Sequence, residues 1–381
     1  MTNGSKHDSR LTGETSRRVL KRDPNPHLFR PITFRSVTAK NRIMLSPMCQ
    51  YSSNDGIPND WHFAHLAARA AGGAGIVFTE AVHTEPAGRI TPNCLGLWND
   101  EQQDRLSRIA EFVNGQDAVA GIQLGHAGRK ASVGRPWDGS SPIPIEEGGW
   151  NTVAPSAQAY SSDWREPVAL TKSGIESQLD MLANASKRAR NAGFQALELH
   201  AAHGYLVHQF LSPLSNFRDD DYGGSFENRI RFLIESIEAV RSEWPSNLPL
   251  FIRLSVTEWV EGGWSIEDSV RLSKILKEEG SIDLIDCSSG GNNPRQSIPI
   301  HPGYQIPLAA TVRSEAQIPT GAVGLINSPD LAESIVANGD ADIVILGRAL
   351  LADPVWPQRA ANHLKAKNFE WPIQYERSNI Y

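Results

Sequence analysis

Cysteine is scarce in this sequence, and its scarcity excludes two classes of protein. Cys49, Cys94 and Cys287 are the only cysteines among 381 residues, and they lie far apart in the chain. An odd, scattered set is a poor framework for disulfides and fits a reducing, cytoplasmic compartment. Three cysteines also fall short of the four thiolates that usually hold an iron–sulfur cluster. We therefore expect neither a disulfide-stapled scaffold nor an iron–sulfur protein.

Long hydrophobic runs and a large excess of charge are also missing. No apolar run approaches the roughly 20 residues of a membrane span, and no apolar signal-peptide region follows the N-terminus. The net charge of −6 gives no reason to expect nucleic acid or an anionic membrane as a partner. Hydrophobic residues nevertheless make up 40% of the chain and charged residues 21%. This balance predicts a globular protein with a full core and a soluble surface.

Residues 1–26 lack the apolar periodicity of the rest of the chain and carry six Lys and Arg. Such a composition is typical of a disordered tail. We therefore expect a flexible extension over 1–26 and one domain over 27–381. A mitochondrial transit peptide is the alternative, and Asp8 and Glu14 argue against it because such peptides avoid acidic residues.

Eight short apolar segments, with helical patterns between them, predict the fold. Most of the segments are continuously apolar, which is typical of parallel strands covered on both faces. Strands that alternate with helices in this number favour a single (β/α)₈ TIM barrel. A doubly wound sheet is the alternative, but Ser-Pro-Met-Cys follows the first segment where that fold has a glycine-rich fingerprint. The predicted strands span 42–48, 74–81, 119–124, 196–200, 250–256, 284–287, 321–325 and 342–346.

The connection over 127–171 is unusually long and rich in Gly, Pro, Ser and Trp. A loop of this length in a compact domain generally has a function. Because it follows the third predicted strand, we expect it to cap the mouth of the barrel.

Polar residues collect where the predicted strands end, which is where a barrel builds its active site. Gln123 and Arg253 are the most informative because both lie inside apolar runs, and buried polar groups need partners. A bound ligand is one explanation, and an internal hydrogen bond or ion pair is the other. Gly324, Gly347 and Arg348 follow the last two strands, where barrels often bind phosphate.

His200, His203 and Tyr205 follow the fourth predicted strand within six residues. A metal site is one interpretation of the two histidines. No third His, Cys or carboxylate lies nearby at ligand spacing, and a catalytic zinc needs three protein ligands. We therefore expect no metal, and favour a set of hydrogen-bond donors that includes an acid.

Several longer motifs surround these residues in a fixed order. They are Ser-Pro-Met-Cys-Gln-Tyr at 46–51, Gln-Leu-Gly-His-Ala-Gly-Arg at 123–129, His-Ala-Ala-His-Gly-Tyr-Leu at 200–206, Phe-Leu-Ser-Pro-Leu-Ser-Asn at 210–216, Tyr-Gly-Gly-Ser at 222–225, Asp-Cys-Ser-Ser-Gly at 286–290 and Gln-Tyr-Glu-Arg at 374–377. Through these motifs the chain resembles the Old Yellow Enzyme family of FMN-dependent ene-reductases, and in particular its thermophilic-like branch, over nearly its whole length.

The resemblance implies a cofactor, a hydride donor and a substrate class. FMN would lie across the barrel mouth, take hydride from NADPH or NADH, and deliver it to the activated C=C bond of an enone-type small molecule. The implied contacts to the flavin ring come from Ser46, Pro47, Met48, Cys49, Ala81, Gln123 and Arg253, and those to the phosphate and ribityl chain from Ser289, Gly290, Gly324, Gly347 and Arg348.

The resemblance also implies the substrate site. His200 and His203 would bind the carbonyl oxygen, Tyr205 would donate the proton, and Tyr51 would contact the substrate. Arg377 and Trp371 would reach the site of a neighbouring subunit, which predicts a homodimer or homotetramer. Blander alternatives stay open: Cys49 as a small buried apolar residue, Tyr205 as packing at the rim, and Arg377 as a solvated terminal arginine.

Two other functions compete with the ene-reductase. A flavin-free lyase or aldolase on the same fold would need a lysine at a strand end to form a Schiff base, and we find none at the eight ends. A flavin-binding protein without catalysis would not need His200, His203 and Tyr205 together. Bound yellow flavin in the purified protein would separate the first competitor from the ene-reductase.

Overall fold

The computed structural model describes residues 25–378 and places two kinds of sheet in that part of the chain. Among these residues, two sheets have two strands each, β1 with β2 and β6 with β7. A third sheet is a closed barrel of eight parallel strands. In chain order the strands are β1 (Ile32–Phe34), β2 (Val37–Ala39), β3 (Ile43–Leu45), β4 (Ile76–His83), β5 (Val119–Gly125), β6 (Val153–Ala154), β7 (Val168–Ala169), β8 (Ala196–Ala201), β9 (Leu250–Ser255), β10 (Leu284–Ser288), β11 (Thr320–Ala322) and β12 (Ile343–Leu346).

The barrel strands are the eight that the apolar segments predict, in the order β3, β4, β5, β8, β9, β10, β11 and β12 around the closed sheet. The prediction of a (β/α)₈ barrel is therefore confirmed. Four strands, β3, β9, β11 and β12, are shorter than predicted, because apolar runs continue into segments that have left the hydrogen-bonded ladder, whereas β5, β8 and β10 are each one residue longer. The start of the chain, 1–24, lies outside the described residues, so the expectation for 1–26 stays a prediction.

Helices follow most of the strands and cover the outside of the barrel. Side chains accept hydrogen bonds from backbone N–H groups at the start of several, including Asn59, Asn99 and Ser265, each in a capping box. The helices are α1 (Asp60–Ala71), α2 (Asp100–Asn114), α3 (Lys172–Asn191), α4 (Leu206–Leu211), α5 (Phe226–Glu243), α6 (Ile266–Glu279), α7 (Ile306–Ala316), α8 (Pro329–Ala337), α9 (Arg348–Ala352) and α10 (Trp356–Leu364).

An antiparallel hairpin of β1 and β2 closes the N-terminal end of the barrel. The Phe34 ring meets the Phe251 ring edge-on, with 5.0 Å between centroids, and the Phe251 ring lies 6.1 Å from that of Phe78. These rings belong to a buried apolar cluster that contains inward-facing residues of the barrel strands. The hairpin was not predicted, since its three-residue strands are too short to show a period.

The segment between β5 and α3 covers part of the opposite, C-terminal end. It contains three short 3-10 turns, at Gly128–Lys130, Pro136–Asp138 and Ile145–Glu147, and then the parallel pair β6 and β7. This long cap after the third barrel strand agrees with the sequence prediction. Within 25–378 we find no helix that is both long and apolar enough to cross a membrane.

Candidate active site

The inward side chains of the barrel change from apolar to polar toward the C-terminal ends of the strands. Alternate residues face inward, so β8 presents Ala196, then Glu198, then His200 along one line. Ala196 belongs to the apolar cluster beside the hairpin, whereas Glu198 and His200 are buried polar residues. The barrel therefore has an apolar lower half and a polar upper half.

Gln123 and Arg253 lie in the polar half, and both have internal partners. Gln123 Nε2 donates to Glu198 Oε1 at 2.7 Å. Arg253 donates from Nε to Asp286 Oδ2 at 2.6 Å and from Nη2 to Ser46 Oγ at 2.8 Å. Internal hydrogen bonds thus use part of the hydrogen-bonding capacity of each side chain. This agrees with the alternative that Gln123 and Arg253 have partners inside the protein. A guanidinium has five N–H donors, so these bonds also orient Arg253 toward further contacts.

The sequence analysis did not single out Glu198 and Asp286 as site residues. Each is an acidic residue inside an apolar run, which is the same pattern that pointed to Gln123. Both side chains are fully buried. Burial, and then the neighbouring charge of Asp286, raise the pKa of Glu198 to about 8. At neutral pH Glu198 therefore keeps its proton, and Asp286 is the anion that balances the charge of Arg253.

His200, His203 and Tyr205 come together above this layer. The ring centroid of His200 lies 5.1 Å from that of His203 and 4.9 Å from that of Tyr205. The backbone N–H of Ala202 donates to Nδ1 of His200 at 3.2 Å, which leaves the proton on Nε2, free to donate. His203 Nε2 lies 2.7 Å from Ser288 Oγ. The predicted set is thus one cluster of rings.

The turn after β8 holds this cluster in place. His203 has a φ of +59°, which is uncommon for a residue with a side chain. A Cβ on Gly291 would lie only 2.5 Å from the backbone of His203, so the two loops pack without room for a side chain. The close approach fixes the position from which the His203 ring reaches the barrel mouth.

Burial determines the protonation of all three rings. It lowers the pKa of His200 and of His203 well below the usual range for histidine, so both imidazoles are neutral at pH 7 and each has one N–H to donate. Burial also raises the pKa of Tyr205 well above its usual value. The tyrosine is therefore a phenol that can give up a proton only when a strong base forms beside it.

Lys130 lies beside Tyr205, although it follows the end of β5 by five residues and was not singled out in the sequence. Its Nζ is 5.3 Å from the centroid of the Tyr205 ring and donates to the carbonyl oxygens of His203 and Gly291, at 2.9 and 2.8 Å. Burial lowers its pKa to about 8, which still leaves mostly ammonium at pH 7. The two hydrogen bonds use it as a structural cation rather than as a free amine.

Cys49 and Tyr51 line the mouth on the β3 side. Both pack on the apolar cluster that contains Cys94, as Tyr205 does. A hydrogen bond with Cys94, and then burial, raise the pKa of Cys49 well above its ordinary value. Burial likewise raises the pKa of Tyr51. Both groups are therefore neutral in the site, and Cys49 is a thiol rather than a thiolate.

The glycines after β11 and β12 shape a separate cavity of about 100 Å³. Gly324 has a φ of +126°, and a Cβ there would lie 3.2 Å from the Tyr304 ring. A Cβ on Gly347 would lie 3.5 Å from Met48 Sδ, which joins this cavity to the end of β3. Arg348 lines this cavity, and the described lining residues include no acidic side chain. A cationic cavity with close backbone approach suits a phosphate group.

The remaining predicted flavin contacts lie around the same rim. Ala81 pairs with Gln123 in the β4–β5 register, next to an irregularity in the ladder. Ser46 joins β3 to Arg253 through its hydroxyl. Ser289 Oγ donates to Gln305 Oε1 at 2.5 Å, and Gly290 has a φ of +71°. Pro47 and Met48 continue from Ser46. A site that joins a buried arginine to a phosphate cavity across one barrel mouth fits a phosphorylated flavin.

Trp371 and Arg377 lie elsewhere in the chain's own fold. Trp371 lines a cavity of about 630 Å³ together with Asn41, Gly73 and Gln116, which precede β3, β4 and β5. It is therefore at the N-terminal end of the barrel, opposite to His200. Arg377 follows in the 3-10 helix Ile373–Ser378 and is exposed. Neither residue is part of the site within one chain.

The fold and site together define a (β/α)₈ oxidoreductase built to hold a flavin nucleotide. The chain belongs to the NADH:flavin oxidoreductase / NADH oxidase family, whose model matches residues 27–367. It is an NADPH-dependent flavin oxidoreductase with FMN as its cofactor. The resemblance to the Old Yellow Enzyme family is thereby confirmed.

Individual relatives agree in sequence and in fold. An NADPH dehydrogenase of Geobacillus sp. (strain WCH70) is 47% identical over 352 residues, which are 92% of this chain and 98% of that protein. Morphinone reductase has a similar structure, with a TM-score of 0.75 and 26% identity over 89% of this chain and 90% of its own. An old yellow enzyme homologue from Zymomonas mobilis matches with a TM-score of 0.73 and 27% identity, over 89% and 93% of the two chains.

Proposed function

We propose that the protein is an ene-reductase, which transfers hydride from NADPH or NADH through FMN to the activated C=C bond of an enone-type small molecule. The observation that carries this proposal is the cluster of His200, His203 and Tyr205. The distances between their ring centroids are 4.9 to 6.5 Å. Two neutral imidazoles and a phenol supply the donors and the acid that reduction of an enone needs, at the end of a barrel suited to flavin.

FMN, when bound, would accept hydride from the nicotinamide and pass it to the substrate. Arg253 would lie by the pyrimidine edge of the flavin, where negative charge develops, and Gln123 would bond the same edge. Asp286 and Ser46 hold the guanidinium in position for that contact. The ring would also touch Pro47, Met48, Cys49 and Ala81, and Ser289, Gly290, Gly324, Gly347 and Arg348 would hold the phosphate and ribityl chain.

The histidines would bind the carbonyl oxygen of the substrate. Hydride arriving at the β-carbon moves negative charge onto that oxygen, so donors placed there stabilise the transition state. His200 can donate from Nε2 because its Nδ1 is already an acceptor. His203 is oriented by Ser288. Because both rings are neutral, they stabilise the oxyanion as hydrogen-bond donors and do not protonate it.

Tyr205 would then protonate the α-carbon. Its hydroxyl proton is retained at neutral pH, and its ring lies edge-on to that of His200. Lys130, next to the ring, would stabilise the phenolate that forms when the proton leaves. A proton donor placed in this way commonly contributes about 10²–10⁴ in rate.

A neighbouring subunit would complete the site with Arg377 and Trp371, in a homodimer or homotetramer. The exposure of the C-terminal segment supports this. Arg377 and its segment are exposed in the single chain, including Ile373, whose relative exposure of 80% is high for an apolar residue. Such an exposed apolar segment is typical of a protein–protein contact.

We also propose a cytoplasmic location, because the three cysteines are free thiols.

The test is to follow both half-reactions anaerobically. NADPH should bleach the flavin absorbance of the purified protein, and 2-cyclohexenone should restore it. A His200→Ala, His203→Ala double variant should be bleached normally but reoxidised slowly by the enone. An enzyme that NADPH reduces and that no enone reoxidises would be a flavin reductase with another acceptor, and the proposal would be wrong.

A further inference from the structure

A second cluster of reactive side chains lies beside the site, and Cys49 is its only member with a role in the proposed function. One ligand-capable atom from each of Cys49, Glu80 and Cys94 lies within 4.8 Å of the other two. Glu80 is at the C-terminal end of the barrel on β4, and Cys49 and Cys94 follow β3 and β4 in loops. Three side chains from three separate segments thus converge on one point.

The chemistry of this set is that of a site for a soft divalent cation. Two sulfurs and one carboxylate are ligands that zinc accepts, and sulfur disfavours magnesium and calcium. Two sulfurs bound tetrahedrally to one zinc lie about 3.8 Å apart, at bond lengths of about 2.3 Å. The ligand atoms lie within 4.8 Å of one another, so each pair needs a shift of at most about 1 Å to reach that geometry. Three protein ligands also leave a fourth position for water.

The groups behind the three ligands strengthen this interpretation. His62 Nε2 lies 3.2 Å from Glu80 Oε1, and both side chains are 1% exposed. The Glu80 carboxylate is almost fully buried and has no hydrogen bond of good geometry within the described structure, and His62 and the backbone of Gln50 and Leu95 are the groups that stabilise its charge. The backbone N–H of Thr91 donates to Cys94 Sγ at 3.4 Å. Ligating groups in metal sites are commonly held by such outer contacts.

We propose that Cys49, Glu80 and Cys94 form a binding site for a thiophilic divalent cation, with Zn²⁺ as the probe. On binding, the two thiols release their protons to solvent and form two sulfur–metal bonds, while the carboxylate supplies the third ligand. His62 is a positioning residue that orients Glu80. Binding ties Cys49 to Cys94, and so, if Cys49 contacts the flavin as proposed above, the cation changes the environment of the flavin.

The experiment uses the FMN-loaded enzyme with its cysteines reduced to thiols. Zn²⁺ is added once and the excess is removed by gel filtration. Bound zinc is then measured by elemental analysis, and its affinity by competition with a chromophoric chelator. The parent should retain about one Zn²⁺ per chain. Cys94→Ala and Glu80→Gln should each weaken binding by more than the 10–100-fold that loss of an outer contact typically costs. His62→Ala should fall within that roughly 10–100-fold range. FMN content reports that each variant has folded.

Cys287→Ala is the matched control, since Cys287 is also buried and free but lies on β10, outside the cluster. It should bind zinc like the parent. Equal zinc in Cys94→Ala and the parent would overturn the proposal. So would a Cys49–Cys94 disulfide in air-exposed protein together with no zinc bound to the reduced form. Zinc that binds without shifting the flavin spectrum would support the site and count against the proposed flavin contact of Cys49.

Discussion

Arg253 and Asp286 form a buried ion pair in the polar half of the barrel, with Nε of the arginine 2.6 Å from Oδ2 of the aspartate. The two residues are paired across β9 and β10. The pair holds a cation in the polar half of the barrel, where we propose that it contacts the flavin, and its own charge is balanced inside the protein.

Removing one partner should be costly. Asp286→Ala removes the hydrogen-bonded anion of Arg253 and leaves only Glu198 at 3.8 Å, and breaking such a buried pair typically destabilises a protein by about 3–5 kcal/mol. We expect this loss in urea denaturation followed by circular dichroism. Asp138→Ala is the control, because its pair with Arg135 is exposed and such pairs are worth about 0–1 kcal/mol. Equal effects of the two substitutions would mean that the buried pair contributes little.

Glu198 should make stability depend on pH. The folded protein holds its proton up to about pH 8, whereas an unfolded glutamic acid releases it near about 4.3. Between these values the unfolded state binds fewer protons, so stability falls as the pH rises through this window. Glu198→Gln removes the titrating group. The melting temperature of the parent should therefore drop more steeply from pH 5.5 to 8 than that of the variant, and parallel curves would contradict the raised pKa.

His200→Ala should impair the acceptor half-reaction and leave FMN bound. The variant loses one donor to the developing oxyanion, which typically costs about 10²–10³ in rate. Stopped-flow reoxidation of the reduced enzyme by 2-cyclohexenone measures this. His301→Ala, at an exposed histidine, is the control and should match the parent. A His200→Ala enzyme that reduces cyclohexenone at the parental rate would refute the assigned role.

Tyr205→Phe should separate the two half-reactions. Reduction of the flavin by NADPH requires no proton from this residue and should stay near the parental rate. Reoxidation by cyclohexenone should slow by roughly 10²–10⁴, the usual contribution of a general acid. A nitroalkene forms a stable nitronate after hydride transfer, so its reduction should suffer less. If both half-reactions slow equally, Tyr205 positions ligands and donates no proton.

Arg377 should act in a neighbouring subunit. An Arg377→Ala chain keeps an intact His200 and Tyr205, and a His200→Ala, Tyr205→Phe chain keeps its arginine. Co-refolding the two inactive chains should restore part of the activity, because the mixed oligomer contains one complete site. Two copies of the same variant should stay inactive. A monomer by light scattering would rule out a contribution from a second chain.

Much of the fold was determined by the sequence alone, since its signals are local. Continuous apolar runs give buried parallel strands, and helical spacing with Asn59, Asn99 or Ser265 at the start gives helices. The grouping of His200, His203 and Tyr205 could be predicted for the same reason, because six residues on one turn cannot separate far. The hairpin β1–β2 and the six-residue helix α4 were not predicted, because such short elements show no hydrophobic periodicity.

The tertiary structure decided which distant residues meet. Glu198 and Asp286 are 88 positions apart, and they share the space around Arg253 because β8 and β10 pair on either side of β9. Lys130 reaches Tyr205 through the packing of separate loops. Cys94, in a loop, and Glu80, on β4, reach Cys49 in the same way, from separate segments. Trp371 was predicted at a neighbour's site and lies at the far end of its own barrel. Most strands and turns could be predicted from the sequence because they depend on neighbouring residues, whereas the meeting of distant charges and thiols depends on how the strands pair and the loops pack.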